Sequence, residues 1–316
     1  MGQNQLGILC RPQGSGFTLR VYMSNTMPAS PLTSPRRFQG THQQMIMADT
    51  WGVPDERPIL FLHGGGQTRH AWNATAQALA LKGLYAITLD ARGHGESDWA
   101  PGGDYRLESF ANDVLAVIQA LGMPSVLVGA SLGGLTALLL EGEIAPGTAI
   151  AVVLVDIVPR LEVVGTTRIL DFMTSHPDGF TTLEEAATAI AQYLPRRERP
   201  ADARTGLGKV LREQPDGRWR WHWDPAFLSN GTLRAVADVD RLRACARRLR
   251  CPTLLVRGRM SDVVSIEGAR QFLSDCPHAE LVDVSDAGHM VVGDRNDAFT
   301  SAVLHFLERA HLTPDP

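Results

Sequence analysis

The chain has 316 residues, of which 44% are hydrophobic and 20% charged, and its net charge is -4. This composition is ordinary for a globular protein with a full core, and it gives no basic surplus for a nucleic-acid partner. No apolar run approaches the ~18 residues that span a bilayer, and residues 1–20 lack the apolar stretch of a secretory signal. We therefore expect a cytoplasmic protein without a membrane or nucleic-acid partner.

Three kinds of segment follow one another along the chain. Residues 1–40 are rich in Pro, Ser and Gly and predict a flexible leader, or alternatively an arm that packs on the core or on a second subunit in a homodimer. Residues 41–159 and 236–316 alternate short apolar runs with helical patterns and form the predicted core. Residues 160–235 break that alternation and are interpreted as an inserted cap (lid).

Within the core, short and continuously apolar runs predict buried strands, at 58–62, 84–89, 125–128, 151–155, 253–256 and 279–284. Helical patterns separate or follow them, at 70–82, 107–121, 132–140 and 294–310. Apolar strands that alternate with helices indicate a parallel sheet covered on both faces. The predicted fold class is therefore α/β, with a doubly wound, mostly parallel sheet.

A tight turn around Ser131 follows the third of these strands. The sequence reads Gly-Ala-Ser-Leu-Gly-Gly over residues 129–134, between a strand and a helical pattern. In that setting, G-x-S-x-G is typical of a nucleophile elbow, where side chains at 129 and 133 would collide. The alternative is a structural turn with an incidental serine. We predict that Ser131 projects above the sheet edge as a nucleophile.

A glycine-rich loop, His-Gly-Gly-Gly over residues 63–66, follows the first of these strands. Such a loop lets backbone amides approach a substrate oxygen without obstruction by side chains. The predicted oxyanion hole consists of the Leu132 amide with that of Gly65, or of Gly66 in its place. One such donor contributes roughly 3–4 kcal/mol in a transition state. We expect His63 to be a structural hydrogen-bonding group.

A serine nucleophile needs a base, and the base needs an acid to orient it. His289 lies in a loop after the last apparent strand and is the predicted base, because that loop reaches the same sheet edge as Ser131. Asp262 follows the strand at 253–256 and is the predicted acid. Asp156, at the end of another strand, is the alternative acid.

Alternating tryptophans in the cap, Trp219, Trp221 and Trp223, fall on one face of a strand. They either pack the cap or line an apolar substrate pocket, for which Gly66 and Met290 are further candidates. The cap also shows helical patterns at 181–193 and 207–213. None of the four cysteines forms a Cys-x-x-Cys pair, so no zinc or redox site is predicted.

Together these motifs resemble the α/β-hydrolase superfamily over about residues 45–159 and 236–310. The features that carry the resemblance are the glycine-rich loop, the turn at 90–97, the elbow at Ser131, the 258–262 loop and the 288–289 loop. The resemblance implies an eight-stranded sheet, a lid after the sixth strand and no cofactor. It also implies scaffold roles for four residues of the turn: Asp90, Arg92, His94 and Ser97.

Departures from related subfamilies narrow the expected activity. Ser131 argues against the epoxide hydrolases and dehalogenases of this fold, which use an aspartate nucleophile. Ala130, Leu132 and Met290 differ from the residues typical of the C–C bond hydrolases that cleave ring-fission products. The expected activity is therefore hydrolysis of a small-molecule carboxylic ester or lactone (EC 3.1.1) through an acyl-enzyme. Three alternatives stay open: C–C bond hydrolysis, cofactor-free perhydrolysis, and a non-catalytic receptor for a small ligand.

Overall fold

A computed structural model describes residues 33–54, 57–194, 206–229, 238–291 and 296–313. Its main sheet has eight strands in the order β1-β2-β4-β3-β5-β6-β9-β10. The strands are β1 Ser34–Gln39, β2 Met45–Trp51, β3 Ile59–Leu62, β4 Ala86–Leu89, β5 Ser125–Ala130, β6 Ala149–Val155, β9 Thr253–Gly258 and β10 Glu280–Val284. In this sheet β2 alone runs in the opposite direction to the other seven strands. The predicted, mostly parallel α/β architecture is therefore confirmed.

Helices cover both faces of this sheet. The helices that pack on it are α1 Asn73–Ala80, α2 Leu107–Leu121, α3 Leu132–Leu139, α7 Val239–Arg248, α8 Ile266–Asp275 and α9 Asn296–Arg309. Between α3 and α7, the chain also forms α4 Val163–Thr174, α5 Leu183–Tyr193 and α6 Ala226–Ser229. Among the described residues, every helix is too short or too polar to cross a bilayer.

Two hydrophobic cores flank the sheet, and alternate residues of a single strand enter different cores. In β3, Leu60 and Leu62 pack in the core that also contains residues of α2, α3, α7 and α8. Ile59 and Phe61 pack in the core that contains residues of α1 and α9. A strand buried on both faces has no polar side, which explains why these strands appear as continuous apolar runs.

The sheet extends further toward the N-terminus than the sequence predicted. Ser34–Gln39 forms β1 and pairs with β2, so the flexible leader predicted for residues 1–40 does not include this strand. Residues 1–32 lie outside the described part of the chain. Polar side chains interrupt the apolar pattern of these antiparallel strands: five of the six residues of β1 are exposed, and β2 contains Asp49. A search for continuous apolar runs therefore misses both strands.

The segment predicted to be a cap, residues 160–235 and called the cap below, contains α4, α5, a two-stranded hairpin and α6 among its described residues. The hairpin pairs β7 Leu211–Glu213 with β8 Trp219–Trp221, so the helical interpretation of 207–213 is wrong for its last three residues. A turn closes the hairpin, with Gly217 at φ +75° and the Gln214 amide donating to the Arg218 carbonyl. The turn chemistry and the antiparallel pairing outweigh the local helical pattern in this segment.

Candidate functional site

Ser131 lies in the turn between β5 and α3, at the carboxyl edge of the sheet. Its φ of +47° is strained for a residue with a side chain, and a functional elbow tolerates such strain. A Cβ added at Gly129 would lie 2.3 Å from the Gly133 carbonyl oxygen, and one added at Gly133 would lie 2.2 Å from that of Leu62. Only glycine fits at these two positions, so the backbone can turn sharply enough to present Ser131.

Asp156 directly follows β6 and is fully buried beside His289. The Nδ1 atom of His289 lies 2.8 Å from Asp156 Oδ2, and the His289 side chain is only 9% exposed. The same carboxylate accepts the amide of Gly258 at Oδ1, over 2.9 Å, and the hydroxyl of Ser261 at Oδ2. Three donors therefore stabilise the Asp156 carboxylate, and it fixes the imidazole with a proton on Nδ1.

A backbone hydrogen bond to the last residue of β6 connects Ser131 to this pair. Its amide donates to the carbonyl of Val155, 3.2 Å away, and Val155 immediately precedes Asp156. The elbow and the Asp156–His289 pair therefore lie at the same edge of the sheet, as the sequence led us to expect for Ser131 and His289. With Nδ1 bonded to Asp156, Nε2 is the imidazole nitrogen that could accept a proton.

Asp262 takes a different position from the one predicted for it. Its carboxylate binds the guanidinium of Arg168, on cap helix α4, through contacts of 2.9 and 3.0 Å. The expected pairing of His289 with Asp262 is therefore corrected to the alternative, Asp156. The 258–262 loop does reach the site, but it contributes the Ser261 hydroxyl and the Gly258 amide, which orient Asp156.

The glycine-rich loop after β3 lies against the elbow. A Cβ added at Gly64 would lie 3.4 Å from Ser131 Cβ. Within the described ranges, the amides of Gly65 and Leu132 donate to no protein acceptor, so both are available to a substrate oxygen. The Gly66 amide instead donates to His94 Nε2 over 3.1 Å. This geometry favours Gly65 over Gly66 as the partner of Leu132.

Three buried histidines contact the backbone of this loop: His63 within it, His94 in the 90–97 turn and His222 in the cap. His63 Nδ1 is 2.8 Å from the Gly64 carbonyl oxygen, and His222 Nε2 is 3.2 Å from that of Gly66. The other nitrogens accept backbone amides: His63 Nε2 from Ala91 and His222 Nδ1 from Gly95. Burial lowers the pKa of all three imidazoles, that of His94 to about 3. All three are therefore neutral at physiological pH.

The cap presents apolar side chains to the glycine-rich loop. Phe227 lies beside Gly65, while Met173 and Trp223 lie beside Gly66. Trp221 stacks on Trp223 with ring centroids 4.7 Å apart. Trp219 packs instead with Phe180 and Leu211 inside the cap, and Met290 receives the side-chain amide of Gln67 at its sulfur, 3.4 Å away. Of the three alternating tryptophans, Trp223 comes nearest to the site.

The sequence did not identify three residues that the structure places around the candidate site. Ser261 lies one position before the predicted acid, and the pattern of that loop indicates a carboxylate rather than a hydroxyl. His222 lies among the cap tryptophans, and Gln67 follows the glycine run, with its carbonyl oxygen accepting the Gly64 amide at 2.9 Å. In the part of the chain that the structure describes, no three His, Cys, Asp or Glu side chains are grouped to hold a metal ion.

A family model described as the α/β-hydrolase fold matches residues 57–295. The chain belongs to this family. An esterase of Mycobacterium tuberculosis, Esterase Rv0045c, is 29% identical over 289 residues, which cover 88% of this chain and 90% of that protein. The mouse protein named sn-1-specific diacylglycerol lipase ABHD11 is 30% identical over 263 residues, which cover 79% and 80%.

Solved structures agree with this assignment. A structure of the M. tuberculosis esterase superposes with a TM-score of 0.69 at 28% identity and covers 88% of this chain and 93% of that one. E-2-(acetamidomethylene)succinate hydrolase superposes with a TM-score of 0.74 at 24% identity, covers 88% and 100%, and supports the fold alone. The family and these relatives identify the chain as an α/β hydrolase.

Proposed function

We propose that this α/β hydrolase is a serine hydrolase that cleaves a small carboxylic ester through an acyl-enzyme. The observation that carries the proposal is the buried hydrogen bond between His289 Nδ1 and Asp156, at the sheet edge where the elbow presents Ser131. A neutral imidazole held in this tautomer is the base that a serine hydroxyl needs. The relatives named as an esterase and a lipase agree with an ester substrate.

In the proposed reaction, Ser131 Oγ attacks the ester carbonyl carbon while His289 Nε2 accepts the hydroxyl proton. The carbonyl oxygen becomes an oxyanion and accepts hydrogen bonds from the amides of Gly65 and Leu132. The C–O bond then breaks, and the alkoxide leaves as an alcohol with the proton from His289. Water, deprotonated by His289, attacks the acyl-enzyme, and the acid product leaves as Ser131 regains its proton.

The surroundings of the loop favour an uncharged, apolar group on the substrate. Phe227, Met173 and Trp223 lie against Gly65 and Gly66, where a bound ester would place its acyl or alcohol chain. Apolar side chains that surround a few fixed polar groups are typical of small-molecule pockets. The proposed substrate is therefore a small ester that carries an apolar chain.

Replacement of the nucleophile tests this proposal. Wild-type protein should hydrolyse p-nitrophenyl esters and should be labelled by a fluorophosphonate at Ser131, as located by mass spectrometry. Ser131→Ala should lose on the order of 10⁶ in kcat if nucleophile, base and acid act as a unit. The matched control is Ser265→Ala, which alters a serine that caps α8. An unlabelled wild-type Ser131, or near-native turnover by Ser131→Ala, would refute the serine mechanism; an unlabelled serine would favour a receptor.

A further inference from the structure

The peptide groups of the glycine-rich loop are held one by one by imidazoles. His63 contacts the carbonyl of the 64–65 peptide, His94 the amide of the 65–66 peptide, and His222 the carbonyl of the 66–67 peptide. The 64–65 peptide, held by His63, also contains the Gly65 amide, and the contacts of His94 and His222 hold the two peptides that follow it. The loop is short and mostly glycine, so its own side chains restrict it little.

His222 differs from the other two histidines because it comes from the cap. It directly follows β8, and its side chain is buried. Its Nδ1 accepts the Gly95 amide over 2.7 Å, which requires that nitrogen to be unprotonated. The neutral ring therefore carries its proton on Nε2 and donates it to the Gly66 carbonyl, 3.2 Å away.

The cap segment that contains His222 is anchored to the core by neighbouring contacts. The Asp224 amide donates to the Gly93 carbonyl over 2.9 Å, and the Tyr105 hydroxyl donates to Asp224 Oδ2 over 2.6 Å. Neither of these bonds reaches the glycine-rich loop. His222 thus combines two contacts, one that anchors the cap to the 93–95 turn and one that holds the loop.

We propose that His222 is a positioning residue for the oxyanion hole. Through this side chain, the cap packed on the core holds the loop that carries the Gly65 amide. The expected effect on the rate of hydrolysis rests on the proposed function. The expected effect of His222 on the conformation of the loop does not. The Nε2–H contact to Gly66 keeps the loop in the geometry that an oxyanion requires, while the Nδ1 contact to Gly95 keeps the imidazole in place. Ester hydrolysis is therefore fast only when His222 contacts both Gly66 and Gly95.

Two amide substitutions separate the two contacts. His222→Gln places a terminal amide where Nε2 lies and can still donate to Gly66, whereas His222→Asn places it where Nδ1 lies and can only reach Gly95. His222→Phe removes both contacts. Tyr105→Phe is the matched control, since it removes the hydrogen bond from the Tyr105 hydroxyl to Asp224 in the cap and that from the Ala100 amide to the same hydroxyl, neither of which involves the loop.

The experiment measures kcat and KM for a p-nitrophenyl ester, together with amide hydrogen exchange of residues 63–68, in the full chain and these variants. His222→Asn and His222→Phe should lose about 10- to 100-fold in kcat, which does not exceed the loss caused by removing a whole oxyanion donor. KM should change less than about threefold. Exchange of the loop should accelerate in the same two variants. His222→Gln and Tyr105→Phe should stay within about threefold of wild type in kcat and keep the loop protected.

Equal behaviour of the Gln and Asn variants, or an equal loss in Tyr105→Phe, would overturn the proposal, because either result would mean that His222 only anchors the cap. Unchanged exchange of 63–68 in His222→Phe would overturn it as well. If the wild-type protein cleaved no ester, the serine hydrolase assignment would fail. The exchange pattern would then decide by itself whether His222 positions the loop.

Discussion

His289 Nδ1 and Asp156 Oδ2 lie 2.8 Å apart, although the two residues are 133 positions apart in the chain. The carboxylate that forms this contact directly follows β6, while the last residue of β9, Gly258, and Ser261 in the loop after it donate to this carboxylate. The residue after β6 therefore orients the imidazole, and the end of the neighbouring strand β9 holds that residue in place. This arrangement separates the roles of two aspartates, of which the sequence favoured Asp262 as the acid and the structure places Asp156 beside His289.

Replacement of the two aspartates should distinguish their roles. Asp156→Asn should lower kcat by about 10⁴-fold, because an amide at this position favours the wrong imidazole tautomer. Asp262→Asn should change kcat less than about fivefold, since its partly exposed pair with Arg168 contributes at most about 1 kcal/mol to stability. Ester turnover and thermal unfolding of both variants measure this. A loss in Asp262→Asn as large as that in Asp156→Asn would contradict the observed pairing.

Ser261 should matter for rate although it does not touch the candidate nucleophile. Its hydroxyl donates to Asp156 and accepts the amides of Val263 and Val264, each 3.1 Å away. Ser261→Ala removes one of three donors to the carboxylate and should lower kcat by about 10-fold, as outer-shell partners commonly do. The kinetics of the purified variant check this.

The control for this experiment is Ser265→Ala. Ser265 accepts the Gly268 amide at the start of α8, so its replacement should cost about 1 kcal/mol of stability and leave kcat unchanged. If both serine variants lost the same activity, a general loss of stability would explain the effect better than orientation of Asp156.

The three histidines around the glycine-rich loop should make stability depend on pH. Their folded pKa values lie below the ~6.5 of an unfolded histidine, so the unfolded chain binds more protons between those values. Stability should be fully present above about pH 6.5 and fall as the pH decreases, by about 1.4 kcal/mol per pH unit for His94 alone. Coulombic attraction from Asp90 opposes this effect at His63 and His94, but burial outweighs it.

Urea unfolding between pH 5 and 8 measures this dependence. His222→Gln removes one of the three groups and should flatten the slope below pH 6.5. Ser265→Ala, which replaces no titratable group, should leave the slope as it is. A stability that stayed level or increased toward pH 5 would contradict the neutral state of the three buried imidazoles.

The cap tryptophans should separate into a substrate contact and a packing residue. Trp223→Ala removes apolar surface beside Gly66 and should lower the kcat/KM ratio of hexanoate to acetate p-nitrophenyl esters by about 10-fold, within the 1–3 kcal/mol that small apolar contacts contribute. Trp219→Ala should leave that ratio within about twofold while it lowers the melting temperature, because Trp219 packs inside the cap. Equal effects of both changes on the ratio would contradict a specific substrate contact of Trp223 and would indicate that both tryptophans affect the ratio through the packing of the cap.

The sequence predicted the central sheet well, because strands buried on both faces leave an unambiguous apolar run. The predicted strand at 125–128 corresponds to β5 Ser125–Ala130, and the helix at 107–121 corresponds to α2 Leu107–Leu121. The two N-terminal strands were missed, since an antiparallel pair interrupted by polar side chains carries no such run. The 211–213 segment was misassigned because pairing with β8, which is not local, determines its conformation.

By itself, the sequence determined six of the eight strands of the sheet and the sharp turn at Ser131, because backbone periodicity and the steric need for glycine at 129 and 133 are local properties. Only the tertiary structure decided between Asp156 and Asp262. Both follow neighbouring strands of the sheet, and the choice depends on where the loop after β9 runs and on the Arg168 side chain that binds Asp262. The same holds for His222, which reaches the glycine-rich loop across 156 residues of chain and acquires its contacts only when the cap folds onto the core.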